Sequence, residues 1–108
     1  MKMTIYLYRW KIKPGMQKQF EESWSYVTKA IKEQCGSYGS RLHLAPNGDY
    51  VSYAQWPDIN TREKCELDES SLDARKLMSE AIEISYPVEI LEVKSDLFVF
   101  KGFPNPLV

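Results

Sequence analysis

Residues Thr4 to Ile12 are strand-forming along both faces, and this constrains the fold more than any other stretch of the chain. Alternation puts Tyr6, Tyr8, Trp10 and Ile12 on one side and Ile5, Leu7, Arg9 and Lys11 on the other. A strand with one wet face would read apolar against polar. Here neither face is plainly polar, so both are expected to touch protein. Lys13-Pro14-Gly15 ends the strand, because proline removes a ladder donor and glycine permits a turn.

A helix is predicted from about Met16 to Gln34. Met16, Phe20, Trp24, Val27 and Ile31 recur at steps of four, four, three and four, an apolar stripe at helical period. Lys18, Glu21, Glu22, Ser25, Lys29, Lys32 and Glu33 take the solvated side, and Gly36 stands where a terminating glycine belongs. Arg41–Leu44 and Tyr50–Trp56 read as a hairpin about Ala45-Pro46-Asn47-Gly48-Asp49, with Asn-Gly as its turn signal. A short helix over Ile59–Leu67 follows, broken by the acidic, serine-bearing Asp68–Ser71. A further helix covers about Leu72–Glu83, with Ala74, Leu77, Met78, Ala81 and Ile82 inward. The last strand runs through Val88–Val93, with Leu97–Phe100 as an extension.

The order is β-α-β-β-α-β, the ferredoxin-like split arrangement of an α+β domain, with a four-stranded antiparallel sheet and helices on one face. The other face would be left bare, holding Ile5, Leu7, Val51 and Tyr53, too apolar for water. Two copies packing those faces together would form a dimeric α+β barrel, so a homodimer is expected. Residues 1–100 form one domain and residues 101–108, with two prolines, a tail.

At 108 residues and 12.6 kDa a single core is expected. Lys and Arg are matched by Asp and Glu to a net charge of −1, which argues against nucleic acid or an anionic membrane as partner. No apolar run approaches the ~20 residues that span a bilayer. The basic start is interrupted by Arg9 and Lys11, unlike a signal segment, so a soluble cytoplasmic protein is expected. Cys35 and Cys65 lack metal-motif spacing and are expected as reduced thiols rather than a disulfide or a zinc pair. Three Trp, seven Tyr and four Phe suit flat organic ligands as well as core packing.

Tyr8-Arg9-Trp10-Lys11-Ile12-Lys13-Pro14-Gly15, then Phe20 and Trp24, then Gly36-Ser37-Tyr38-Gly39-Ser40-Arg41-Leu42-His43, and Tyr53-Ala54-Gln55-Trp56-Pro57 resemble the antibiotic biosynthesis monooxygenase domain family. Leu91-Glu92-Val93 to Asp96-Leu97 fits its last strand, so the resemblance spans Thr4 to Leu97. It implies a dimeric α+β barrel with one pocket per subunit between sheet and helices. It also implies oxygenase chemistry on a small aromatic or quinol-type substrate without metal or flavin. Haem-degrading relatives use an Asn on strand one and a helical His. Here Tyr8 stands at the former position and His43, the single histidine, lies in the hairpin. Haem is therefore not expected, nor any other cofactor.

Trp56 matches a pocket-lining position of the family, and Trp10, Trp24 and Ser52 join it as candidate substrate contacts. Small Ser52 and Ala54 on the Trp56 face would leave room for a ligand, where a closed core would favour larger residues. Each aromatic could equally be a core residue. Candidate catalytic residues are His43 or Tyr8 as the base and Arg41 as stabiliser of an enolate or superoxide. Such chemistry needs a deprotonated, electron-rich substrate to reduce dioxygen. Strand parity alone leaves open whether Arg41 and His43 face the helices or a dimer mate. A non-catalytic dimeric ligand-binding or assembly module, and an isomerase or lyase in the same barrel, remain the alternative readings.

Overall fold

The computed structural model describes residues 3–99. The element order is β1 (Thr4–Ile12), α1 (Gln17–Cys35), β2 (Gly39–Leu44), β3 (Tyr50–Trp56), α2 (Ile59–Glu63), α3 (Glu69–Ala81), β4 (Ile82–Ser85) and β5 (Glu89–Glu92). The sheet is antiparallel in the order β2-β3-β1-β4, with β5 also on β1. One edge of β1 takes all of β3. The other takes β4 beside Trp10–Ile12 and β5 beside Thr4–Leu7. This is the ferredoxin-like α+β arrangement with its last strand position filled by two short pieces. The interruption falls at Pro87, which has no N–H for the ladder, and a bulge lies at Lys11/Ile12.

The helices lie on the face of Tyr6, Tyr8, Trp10 and Ile12. Phe20, fully buried, meets the Trp10 and Tyr50 rings at centroid distances of 5.2 and 5.0 Å. Burial pushes the Tyr50 phenol up to about 12, helped by its hydrogen bond to Glu21. Gly36 adopts the left-handed conformation (φ 76°) that ends α1, a geometry costly for any residue with a Cβ. Gly48 (φ 92°) does the same in the hairpin turn, closed by the Gly48 amide donating to Ala45 O at 2.9 Å.

The second half of the chain departs from the expected boundaries. Asp68–Ser71 does not break a helix but begins one: Asp68 accepts the Ser71 amide at 2.9 Å and caps α3. The Ser71 hydrogen bonds hold the Asp68 carboxyl below its ordinary range. α2 closes at Glu63, short of Leu67. α3 closes at Ala81, and Ile82 turns directly into β4. Ile82-Glu83-Ile84-Ser85 therefore forms strand where Ile82 and Glu83 were expected in helix. Leu77, expected inward, is 50% exposed on α3, although Ala74 and Ala81 are buried. Leu97–Val99 add no strand, and Phe100 with the 101–108 tail lies outside the described residues.

Two side-chain clasps hold α3 against α1. The Gln34 amide donates to Asp68 Oδ2 at 3.0 Å and accepts from the Asp68 N–H at 3.1 Å, while Gln19 donates to Leu77 O at 2.9 Å. Beside the first clasp, Cys35 and Cys65 are joined as a disulfide, which corrects the expectation of two thiols. Their 30-residue separation concealed the meeting of the α1 terminus with the segment after α2.

The helix-free face is not wholly bare. Ile5 is 2% exposed, and Leu7, Val51 and Tyr53 are half-buried, with the Phe98 ring 6.5 Å from that of Tyr53. Among the described residues no helix is long and apolar enough to cross a membrane.

Candidate active site

Between the sheet and the helices lies a cavity of about 480 Å³, within the size range of small-molecule sites. Side-chain size on the sheet explains it. Ser40, Ser52 and Ala54 lie on the helix-facing side, where Ser52 pairs with Tyr8 and Leu42, and Ala54 with Tyr6 and Ser40. Three small side chains in adjacent ladder positions leave a hollow that the helices bridge without filling. Trp56 closes the floor at the end of β3. Trp24, Val27, Thr28 and Ile31 of α1 form one wall, and Leu72, Arg75 and Met78 of α3 another.

The floor is aromatic and ordered. Tyr8 stacks on Trp10 with ring centroids 5.6 Å apart and planes 4° from parallel, and Tyr6 continues the stack at 6.3 Å.

The remaining rim comes from α2 and the segment after it: Arg62, Cys65, Glu66 and Leu67. Asp58 caps α2 by accepting the Thr61 amide at 2.7 Å, and that bond holds its carboxyl below the ordinary range. Arg62, one position on, is thereby aimed at the sheet. Its Nη2 and Nε donate to the Tyr8 hydroxyl at 3.2 and 3.4 Å, and its guanidinium carbon sits 5.0 Å from the Tyr6 ring centroid. Tyr6 responds to both influences: burial raises its phenol, and the Arg62 charge pulls part of that back. The disulfide at Cys65 anchors this rim to the end of α1.

Five of the seven residues singled out from sequence therefore line one cavity: Tyr8, Trp10, Trp24, Ser52 and Trp56. Arg41 and His43 do not. The ladder pairs them with Tyr53 and Val51, on the opposite side of the sheet. His43 is exposed there, its Nδ1 3.1 Å from Val51 O. Arg62, Arg75, Ser40 and Glu66 were not anticipated. For Arg62 the available signal was its place in a capped helix directly after the Trp56 strand end.

No family model matches the chain, and no curated protein matches it. Solved structures do. SnoaB, a cofactor-independent oxygenase from Streptomyces nogalater, superposes with a TM-score of 0.75 at 15% identity, over 90% of this chain and 98% of that one. A candidate antibiotic biosynthesis monooxygenase from Caulobacter crescentus gives 0.74 at 14% identity, over 87% and 92%. Another from Chloroflexus aurantiacus gives 0.70 at 10%, over 91% and 99%.

Proposed function

Because this chain has the fold of the antibiotic biosynthesis monooxygenase domain proteins, we propose that it is a cofactor-independent monooxygenase of a small, electron-rich aromatic or quinol-type substrate. The observation that carries the reading is the stacked Tyr8-Trp10 pair lining a cavity of about 480 Å³, with a guanidinium held on the Tyr8 hydroxyl.

The chemistry asks little of the protein. A deprotonated ring passes one electron to dioxygen, leaving a ring radical and superoxide. Their combination forms a C–O bond and, with a proton, a hydroperoxide. Loss of water then leaves a carbonyl at that carbon, so one oxygen atom enters the product and the other departs as water. Tyr8 exchanges the proton at its phenolic oxygen. Arg62, donating to that oxygen, offsets negative charge as it develops on Tyr8 and on the neighbouring ring. Trp10, Trp24 and Trp56 hold the substrate plane, and Ser52 offers a hydroxyl at the floor. Of the two candidate bases only Tyr8 lines the cavity, and the role of cation passes from Arg41 to Arg62, because His43 and Arg41 lie across the sheet.

The active unit in this reading is a homodimer joined through the helix-free face. Leu91 and Ile84 are each 41% exposed on that side of the sheet, and Phe98 is 78% exposed against Tyr53. An apolar surface of this kind is covered in a stable soluble protein.

The test is oxygen consumption by chelator-treated protein offered anthrones and hydroxylated naphthoquinols. Uptake above the uncatalysed rate, with one mole of oxygen consumed per mole of ketone formed, supports the reading. A panel without such turnover contradicts it.

A further inference from the structure

Among the described residues, one buried hydroxyl of the cavity lacks a hydrogen-bond partner and one half-buried cation lacks a counter-ion. Ser52 is 2% exposed, lines the cavity, and its hydroxyl makes no hydrogen bond among the described residues. A buried hydroxyl in that state costs stability unless something in the cavity receives it. Arg62 is half-buried, and among the described residues no carboxylate pairs with it. Its guanidinium is held before any ligand arrives, on the Tyr8 hydroxyl and the Tyr6 ring, neither of which carries a formal charge. The other charged groups of the lining are Arg75 on α3, exposed, and Glu66, also exposed, which forms no ion pair with either arginine. The lining is thus net positive, and its most fixed charge lacks a counter-ion among the described residues.

Ser52 and Arg62 bracket Tyr8. Ser52 is the cross-strand neighbour at the root of the Tyr8 side chain, and Arg62 holds its tip. A flat ligand lying along Tyr8 brings one oxygen substituent to each. We infer that the cavity selects planar aromatic anions, rings bearing a carboxylate or comparable oxyanion, with Arg62 as the specificity-determining cation and Ser52 as a second donor. The inference rests on the reading of this cavity as the substrate site. It concerns binding, however, and stands or falls apart from oxygen chemistry.

The experiment is calorimetric titration of the whole protein with 2-naphthoate and with 2-naphthamide, a neutral molecule of the same shape. A charge-assisted hydrogen bond exceeds its neutral counterpart by enough that the carboxylate should bind about tenfold more tightly. Arg62→Gln should bring that ratio to about one while shifting amide affinity less than about threefold, since only the charged part of the contact is lost. Arg62→Lys should keep most of the preference, and Ser52→Ala should weaken both probes. Wild-type protein offers a check independent of any variant: its preference should vanish as pH falls through the probe's own carboxyl pKa, near ~4. Equal binding of the two probes by wild type would overturn the inference, as would an undiminished preference in Arg62→Gln. A panel inert to oxygen would not bear on this result, and equal binding of the two probes by wild type would not bear on the oxygen reading.

Discussion

Breaking the Cys35–Cys65 bond should cost the fold heavily and loosen the cavity rim at the same time. The bond closes a loop of 30 residues between the end of α1 and the segment carrying Arg62 and Glu66. In the chain-entropy treatment a loop of that length contributes about 3.6 kcal/mol at 25 °C, by restricting the unfolded chain. Spread over an unfolding entropy of about 2.1 cal/mol/K per residue for 108 residues, that becomes a fall of about 16 °C in Tm. The assay is thermal unfolding at fixed protein concentration with and without reductant, alongside a thiol count on denatured protein. Air-exposed protein should show no titratable thiol and reduced protein two. Cys35→Ala/Cys65→Ala should melt near the reduced protein and be indifferent to reductant. Affinity for 2-naphthoate should fall on reduction too, because Arg62 loses the anchor of its wall. Two free thiols in the unreduced protein, or a Tm indifferent to reductant, would rule out a stabilising Cys35–Cys65 bond.

Phe20→Ala, which empties a fully buried ring site between Trp10 and Tyr50, should destabilise by about 3–5 kcal/mol in urea unfolding. Leu7→Asp should turn a particle of about twice the 12.6 kDa chain mass into one of chain mass by light scattering, because it places an unpaired charge in the proposed seam. Tyr50 titrates higher in the fold, at about 12, than its ordinary value of 10.0. The folded state thus holds a proton that the unfolded chain releases, so its contribution is intact below pH 10 and lost as pH rises toward 12. Tm should decline across that window, less steeply in Tyr50→Phe. Tyr8→Phe should reduce oxygen turnover by the ~10²-fold or more expected of a lost proton-transfer group, with His43→Ala leaving it within about twofold.

The front half of the fold was legible because its signals are local. The α1 stripe, the glycine at its end and the Asn-Gly hairpin each act over a few residues, and Tyr50–Trp56 was recovered to its bounds. The back half depends on competition between readings. Ile82-Glu83-Ile84 fits a helix face or an alternating strand equally well, and the free edge of β1 decides for strand. Asp68 and the serines after it read as a break because the residues that interrupt helices also begin them. Four of the cavity-lining residues were legible because β1 and β3 carry their inward faces in plain alternation, and Trp24 because it belongs to the apolar stripe of α1. The orientation of Arg41 and His43 hangs on the Leu44–Tyr50 register across the turn, which the local pattern of β2 does not encode. Arg62 and the disulfide arise from α2 folding back onto Tyr8 and Cys35, contacts of 54 and 30 residues in sequence.

A ligand in the proposed site occupies the helix-facing hollow of the sheet. The most direct measurement is the set of intermolecular nuclear Overhauser effects from bound 2-naphthoate to the side chains of the two sheet faces. Contacts are expected from the ring protons to Trp10, Trp24, Trp56 and Tyr8. Contacts instead to Val51, Tyr53 and His43, across the sheet, would contradict that placement.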